Sequence, residues 1–314
     1  MRKSPYLQIR RIEFMVTYQC TGCCMHCSVA EVLNRPGKYL CVQEKEAVDA
    51  VKWLAQHHPV TSVMTFGGEP LLYGEVACAI HQAATESGVA KRQLITNGYF
   101  SREDSKIREM ATRLRQAGVN NLLLSVDAFH QKKIPLEMVR KFAEALQTEK
   151  IENFFLQPAW LVHEKHDNPY NEETRKILKS FADLEIPVNQ GNDIFLAGNA
   201  AKYLSSYYET GEPDLTAVCG AMPYTEPLDR VTSISIEPNG DVVACAFVIG
   251  NIYRETMKEI VQRYDPYARE DMAALLNGGV AGLLDWAKRE RIEADCSGCY
   301  SACDVCRKIN RTGK

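Results

Sequence analysis

The chain has 314 residues, enough to bury one large core and a smaller second unit, and its formal net charge is −3. So near a balance excludes a strongly basic nucleic-acid-binding surface, and Arg307, Lys308, Arg311 and Lys314 read as a solvated tail. The first 11 residues carry four basic side chains and no apolar stretch, which excludes a secretory signal; no apolar run is long enough to span a bilayer. The 12 cysteines are therefore expected in a reducing cytoplasm, where metal binding explains them better than disulfides. Four lie between 20 and 27 and six lie after 218, with Cys41 and Cys78 between as small semi-buried residues.

From residue 12 to about 200 the pattern alternates strand and helix. Ile12 to Tyr18 is a short run of β formers, followed by Cys20-Thr21-Gly22-Cys23-Cys24-Met25-His26-Cys27. A helix is expected near 43–56, with Ala47, Val48, Val51 and Leu54 on one face. Ser62 to Phe66 reads as a second strand, 74–87 as a helix and Gln93 to Thr96 as a third strand. Ser101 with Asp104 three residues on suggests a capping box, opening a helix that buries Ile107, Met110, Ala111 and Leu114. Asn121 to Val126 is nearly continuous in apolar residues, as a strand covered on both faces should be. Pro135 opens a helix burying Leu136, Val139, Phe142, Ala143 and Leu146. Phe154 to Gln157 is a fifth strand, Ile177, Leu178, Phe181 and Leu184 mark its partner helix, and a sixth strand falls within Pro187 to Leu196. Six such units predict an α/β fold, a partial (β/α)6 TIM-like barrel, with its sites at the C-terminal strand ends.

The unusual residues fall at those ends. The Cys loop follows strand one, Gly67-Gly68-Glu69-Pro70 follows strand two, and Thr96-Asn97-Gly98 ends strand three. Ser125 and Asp127 end strand four, Gln157-Pro158 ends strand five, and Gly198-Asn199 follows the sixth. Singly, each can be turn chemistry; together they mark one mouth. Cys20, Cys24 and Cys27 give C-x3-C-x2-C, and three thiolates on one loop can hold three irons of a [4Fe–4S] cube, leaving the fourth open to a ligand. A zinc knuckle and a four-cysteine electron-transfer cluster are the alternatives, and Cys23 permits a second reading, C-x2-C-x3-C. His130, in Asp127-Ala128-Phe129-His130, reads as a structural hydrogen-bonder, with acid–base work as the alternative.

The order C-x3-C-x2-C, GGEP, TNG, S-x-D resembles the core of the radical S-adenosylmethionine (SAM) superfamily over about residues 10–200. The resemblance implies that the open iron binds SAM and that reductive cleavage gives a 5′-deoxyadenosyl radical. It implies that Gly67 and Gly68 present backbone to the SAM amino group, as close approach of backbone to ligand requires glycine. Glu69 then orients that turn or binds the amino group. Asn97, Ser125 and Asp127 lie on the cofactor side, with Ser125 and Asp127 where the family contacts the SAM carboxylate or ribose. His26 holds the position where the family has an aromatic near the adenine. Cys23 departs from the pattern.

Glu209 to Asp214 reads as a linker, dividing a core at 1–211 from a small α+β Cys-rich domain at 212–314. Val231 to Ile236, the turn Pro238-Asn239-Gly240-Asp241 and Val242 to Phe247 predict a hairpin with Cys245 on its returning strand. Helices are expected near 255–263 and 268–289. The run Cys296-x2-Cys299-x3-Cys303-x2-Cys306 follows; a zinc site there is the alternative, although the central spacing is short for a ribbon. Cys219, then Gly240-x4-Cys245, then this run resembles the SPASM or shorter twitch extension, which implies auxiliary [4Fe–4S] clusters. Six cysteines suffice for one full cluster with two left over. Cys245, Cys296, Cys299 and Cys306 are the expected ligands, with Cys219 or Cys303 able to replace any of them.

The expected function is hydrogen abstraction from a substrate, first a ribosomally made peptide undergoing epimerisation, thioether formation or carbon–carbon crosslinking. Cys219, if left free, would donate the hydrogen in an epimerase. An external one-electron donor of flavodoxin or ferredoxin type is implied. A sulfatase-maturase-like enzyme or a small-molecule dehydrogenase is the alternative within this chemistry. A non-catalytic zinc-binding interaction protein is the alternative outside it.

Overall fold

The computed structural model describes residues 4–34, 37, 40–209, 213–220, 225–293, 296 and 298–312. Five parallel strands form the frame: β1 (Leu7–Met15), β2 (Ser62–Phe66), β3 (Lys91–Thr96), β4 (Asn121–Ser125) and β5 (Asn153–Gln157), side by side in that order. The crossovers are α1 (Glu44–His57), α2 (Gly74–Glu86), α3 (Asp104–Gln116), and the pair α4 (Ala128–Gln131) and α5 (Leu136–Thr148). Their inward stripes follow helical spacing: Ile107, Ala111 and Leu114 in α3, and Val139, Phe142, Ala143 and Leu146 in α5 are buried. Leu122, Leu123 and Leu124 of β4 are all buried, because helices cover one face and the barrel interior the other.

The sixth strand is present in pieces. Pro158 has no N–H to give, and β5 is interrupted there before resuming as β6 (Ala159–Trp160). After α6 (Pro169–Lys179), the incoming chain pairs first at the Leu156–Val188 bridge and then as β7 (Asn192–Asp193) beside β6. The barrel therefore stays partial, and α7 (Asn199–Tyr203) begins just past this segment.

The later residues extend the same sheet. β8 (Val231–Ile236) pairs in parallel with β1, and β9 (Asp241–Ala244) and β10 (Phe247–Asn251) follow antiparallel, giving the order β10-β9-β8-β1-β2-β3-β4-β5. β1 is thus an interior strand, with Ile9, Ile12 and Phe14 fully buried. The helices α8 (Met257–Arg263), α9 (Glu270–Arg289) and α10 (Ala302–Thr312) complete the described chain. Residues 210–212 of the expected linker lie outside the described residues.

Two local expectations are corrected, and the structure adds the conformation of the Cys-rich run. Ser101 does not cap α3: its hydroxyl accepts from Glu103 N, and the helix starts at Asp104 behind Glu103 without a side-chain cap. Cys245 is not on the returning strand, which stops at Ala244; it sits in the turn to β10 with φ of +55°. The Cys-rich run is partly helical, since α10 carries Cys303 and Cys306 three residues apart, on one side of the helix.

Candidate active site

The Cys loop leaves the C-terminal end of β1 and is gripped by its neighbours. Gly68 N donates to Thr17 O and Glu69 N to Gln19 O, both at 2.8 Å. A Cβ on Gly68 would lie 2.0 Å from Gln19 O, and one on Gly67, at φ +144°, would lie 2.7 Å from Thr17 O. Both glycines are needed because this turn packs on the backbone entering the Cys loop, a reason that precedes any ligand. On the far side, Asn199 N donates to Cys27 O and Asn199 Nδ2 to Cys24 O, each at 3.0 Å. Gly198 (φ +54°) lies so close that a Cβ would be 2.7 Å from Cys27 O. Asn34 Oδ1 accepts from Cys20 N at 3.0 Å.

Glu69 is fully buried and does not line the cavity. Its carboxylate accepts from Leu71 N (3.0 Å), Thr96 Oγ1 (2.7 Å) and Asn97 N (2.8 Å), so it fastens the GGEP turn to the end of β3. Burial pushes its pKa up to about 7, against the pull of those three donors. Of the two roles open to Glu69, orienting the turn is the one these contacts perform. Asn97 in turn reaches the loop: its Nδ2 lies 3.7 Å from Cys20 Sγ and 3.2 Å from Thr21 Oγ1, while Gly22 N donates to Cys20 Sγ at 3.3 Å.

These ends surround a cavity of about 300 Å³, lined by Cys20, Cys24, Cys27 and His26 from the loop, and by Gly67 and Gly68. Asn97, Ser125, Asp127, His130 and Gln157 line it from the strand ends, and Asn192 to Phe195 close one side. Asp127 is fully buried and caps α4: its Oδ1 accepts from Phe129 N and His130 N at 2.9 Å, its Oδ2 from His130 Nδ1 at 2.8 Å and Ala159 N at 3.1 Å. Four donors occupy the four lone-pair positions of a carboxylate, so its free acceptor capacity is spent within the protein. Although burial alone would raise it, the His130 imidazole and these donors hold the Asp127 pKa down at about 2. His26 packs against Phe129 and His130 with ring centroids 5.1 and 4.8 Å away, and its Nδ1 is buried without a hydrogen-bond partner. Burial, aided by His130, lowers the His26 pKa to about 4. Burial also pushes the Cys20 thiol up to about 11 and raises Cys24 and Cys27, so the thiols of a metal-free loop are neutral and a bound metal would have to displace their protons.

The C-terminal cysteines form a second pocket, of about 190 Å³, lined by Cys219, Cys245, Cys303 and Cys306. Cys219 is brought there by a break in α9: Gly279 turns out of helix (φ +62°), Val280 N then donates to Ala217 O and Ala281 N to Leu215 O. A Cβ on Gly279 would lie 2.8 Å from Ala217 O. The gathered four share Cys245 and Cys306 with the expected set and bring in Cys219 and Cys303, the two residues expected as possible replacements, in place of Cys296 and Cys299. Cys296 and Cys299 precede α10 and do not line the pocket, and Cys219 lies here, not in the cavity beside the N-terminal loop. Sequence spacing could not show this, because the selection is made by the turn at Cys245 and the face of α10. His130 and the Asn192–Phe195 segment are cavity residues that the sequence reading undervalued or missed. His130 was legible only as three residues past Asp127.

The residues fit iron–sulfur chemistry at both places: three thiols on one loop beside an orphaned imidazole nitrogen and an open cavity, and four thiols converging on a second pocket. The family model of the radical SAM superfamily matches residues 14–198, more than half of the chain, and that of the SPASM iron–sulfur cluster-binding domain matches 230–300. In fold the chain is similar to the solved structures described as polyhistidine-tagged anSMEcpe with bound AdoMet (TM-score 0.54, 15% identity, covering 98% of this chain and 92% of that one) and native anSMEcpe with bound AdoMet (TM-score 0.50, 17% identity, 81% and 80%). A curated relative, the molybdenum cofactor biosynthesis protein moc-5 of Caenorhabditis elegans, is 26% identical over 133 residues. That match spans 42% of this chain and a fifth of the relative's length. The matched families bring their cofactors with them: a [4Fe–4S] cluster with an open iron, S-adenosylmethionine, and an auxiliary iron–sulfur cluster. No described helix is long and apolar enough to cross a membrane. The chain belongs to the radical SAM superfamily and carries a C-terminal SPASM iron–sulfur cluster-binding domain.

Proposed function

We propose that this enzyme abstracts hydrogen from a peptide, most simply to crosslink it. When bound, the open-iron cluster and SAM supply a 5′-deoxyadenosyl radical. Cys20, Cys24 and Cys27 hold that cluster, and Asn97 and Gly22 direct N–H groups at Cys20 Sγ, which stabilises the thiolate and tunes the cluster. Gly67, Gly68, His26 and Ser125 form the cofactor wall, while Glu69 and Asp127 hold that wall in place from behind. Cys219, Cys245, Cys303 and Cys306 hold the auxiliary cluster, so Cys219 is a ligand and not the hydrogen donor of an epimerase. An external one-electron donor of flavodoxin or ferredoxin type reduces the protein.

The observation that supports a peptide is the rim. Among the described residues β7 pairs with β6 alone, its residues are exposed, and they lead directly into cavity-lining Ile194 and Phe195. An extended chain can add to such an edge through backbone hydrogen bonds and bring one residue over the cavity. A small-molecule substrate is the second reading, favoured by the modest cavity volume and by the partial match to a cofactor-biosynthesis protein. Isotope transfer separates them. The reconstituted enzyme, SAM and dithionite are incubated anaerobically with the peptide fraction, or the small-molecule fraction, of an extract from cells grown in deuterated medium. Deuterium in deoxyadenosine from the peptide fraction is expected; label from the small-molecule fraction alone overturns the peptide reading.

A further inference from the structure

Without cluster or SAM, the cavity brings together a second set of metal-ligating atoms that shares Cys24 with the cluster set. Cys24 Sγ, a ring nitrogen of His26 and a ring nitrogen of His130 all lie within 4.8 Å of one another. His130 Nδ1 is bound to Asp127 Oδ2 at 2.8 Å, which leaves Nε2 as the nitrogen able to ligate. A carboxylate behind an imidazole is the usual outer support of a metal-binding histidine, fixing its tautomer and orientation. His26 Nδ1 is buried with no partner, and Cys24 is 7% exposed. An unpaired buried nitrogen is costly unless a ligand takes it.

One thiolate and two imidazoles suit Zn²⁺, which binds sulfur and nitrogen ligands tetrahedrally, and three protein ligands beside a cavity leave its fourth position open. The thiolate and the buried Asp127 carboxylate would together balance the charge of the ion. We propose that the cluster-free chain binds one Zn²⁺ at Cys24, His26 and His130, and that this ion and the N-terminal cluster exclude each other because both require Cys24. The binding follows from the geometry alone; the exclusion rests on the proposed role of Cys24 as a cluster ligand. Zinc carries no redox chemistry, so the zinc-loaded chain is an inert form that accepts iron only after zinc is withdrawn.

The test uses the full chain, stripped of metal, reduced and kept anaerobic. It is titrated with Zn²⁺ against a chromophoric chelator, and with Co²⁺ while thiolate-to-metal absorption is recorded. The four-thiol pocket takes its own ion, so the site is expected as one additional ion per chain with the absorption of a single thiolate. His26→Ala and His130→Ala should each weaken that ion by more than the roughly 10–100-fold cost of losing an outer-shell partner. Cys20→Ala should keep the ion yet fail to assemble N-terminal iron. Circular dichroism and retention of the four-thiolate ion report that each variant is folded; where one is not, the wild-type Co²⁺ spectrum decides. Wild-type protein that takes only a four-thiolate ion, folded histidine variants that bind as wild type does, or Cys20→Ala losing the ion, would each overturn the site. If iron never assembles in wild-type protein but the single-thiolate ion binds, the site stands and the exclusion falls.

Discussion

At the scale of single residues, the site is built by side chains whose work is directed inward. Gly68 is the sharpest case, since any side chain there meets the Gln19 carbonyl. Gly68→Ala is expected to push the GGEP turn off the Cys loop and lose N-terminal iron while the C-terminal cluster is retained; iron and acid-labile sulfide analysis would show about half the wild-type content. His81 belongs to the fold, not the cavity. It is fully buried, bonded to Thr65 Oγ1 at 2.8 Å, and burial, aided by Arg92, lowers its pKa to about 3. The unfolded chain takes up that proton near pH 6.5 and the folded chain refuses it until about pH 3. Stability is therefore complete above pH 6.5 and falls as the pH drops towards 3, by at most about 1.4 kcal/mol per pH unit from this group. Buried Glu69, with its raised pKa, acts oppositely between its unfolded value and about 7, so the wild-type curve alone mixes the two. Denaturant titrations of wild type and His81→Gln across that range isolate the histidine: the variant should lose the steeper acid limb.

At the scale of elements, what was legible depended on whether a local pattern carried the whole instruction. The apolar run of β4, the inward stripes of α3 and α5, and the position of the Cys loop after β1 are each written in a few adjacent residues, and each forms where the pattern puts it. The sixth strand was blurred because Pro158 and the short β6–β7 pair divide it, leaving no sustained alternation. The set of four gathered thiols was illegible for a different reason. Cys spacing suggested ligands by proximity in sequence, whereas α10 turns Cys303 and Cys306 to one face and the break in α9 delivers Cys219 from more than 80 residues upstream. Gly279 is the hinge of that delivery. Gly279→Ala would force either a left-handed alanine or a repaired helix, and both displace the 215–217 segment. Loss of auxiliary-cluster iron with the N-terminal cluster intact is expected, read by the change in electron paramagnetic resonance signals after reduction.

At the scale of the whole molecule, the two thiol sites share one framework. β1 leads into the N-terminal loop and pairs with β8, whose hairpin partner β9 leads to Cys245. Tyr18 O–H donates to Glu237 at 2.6 Å, joining the approach to the loop to the turn that follows β8. This organisation predicts a clean division among the six C-terminal cysteines. Replacing Cys303 and Cys306 together by alanine should remove half the iron, whereas replacing Cys296 and Cys299 should leave the iron content unchanged; equal losses in both double variants would refute the four-thiol assignment.

The pairing of β1 with β8 has a consequence for the spacing of the two thiol sites. A strand rises about 3.3 Å per residue, and register fixes which residue stands beside which. Since Phe14 faces Ile236 and Ser235 faces Val243, the interval between one thiol site and the other is ruled by hydrogen-bonded backbone, not by a tether free to lengthen. Substrate arriving at the mouth can alter access, but the spacing between the strand that enters the N-terminal loop and the strand that leads to Cys245 is set when the sheet forms.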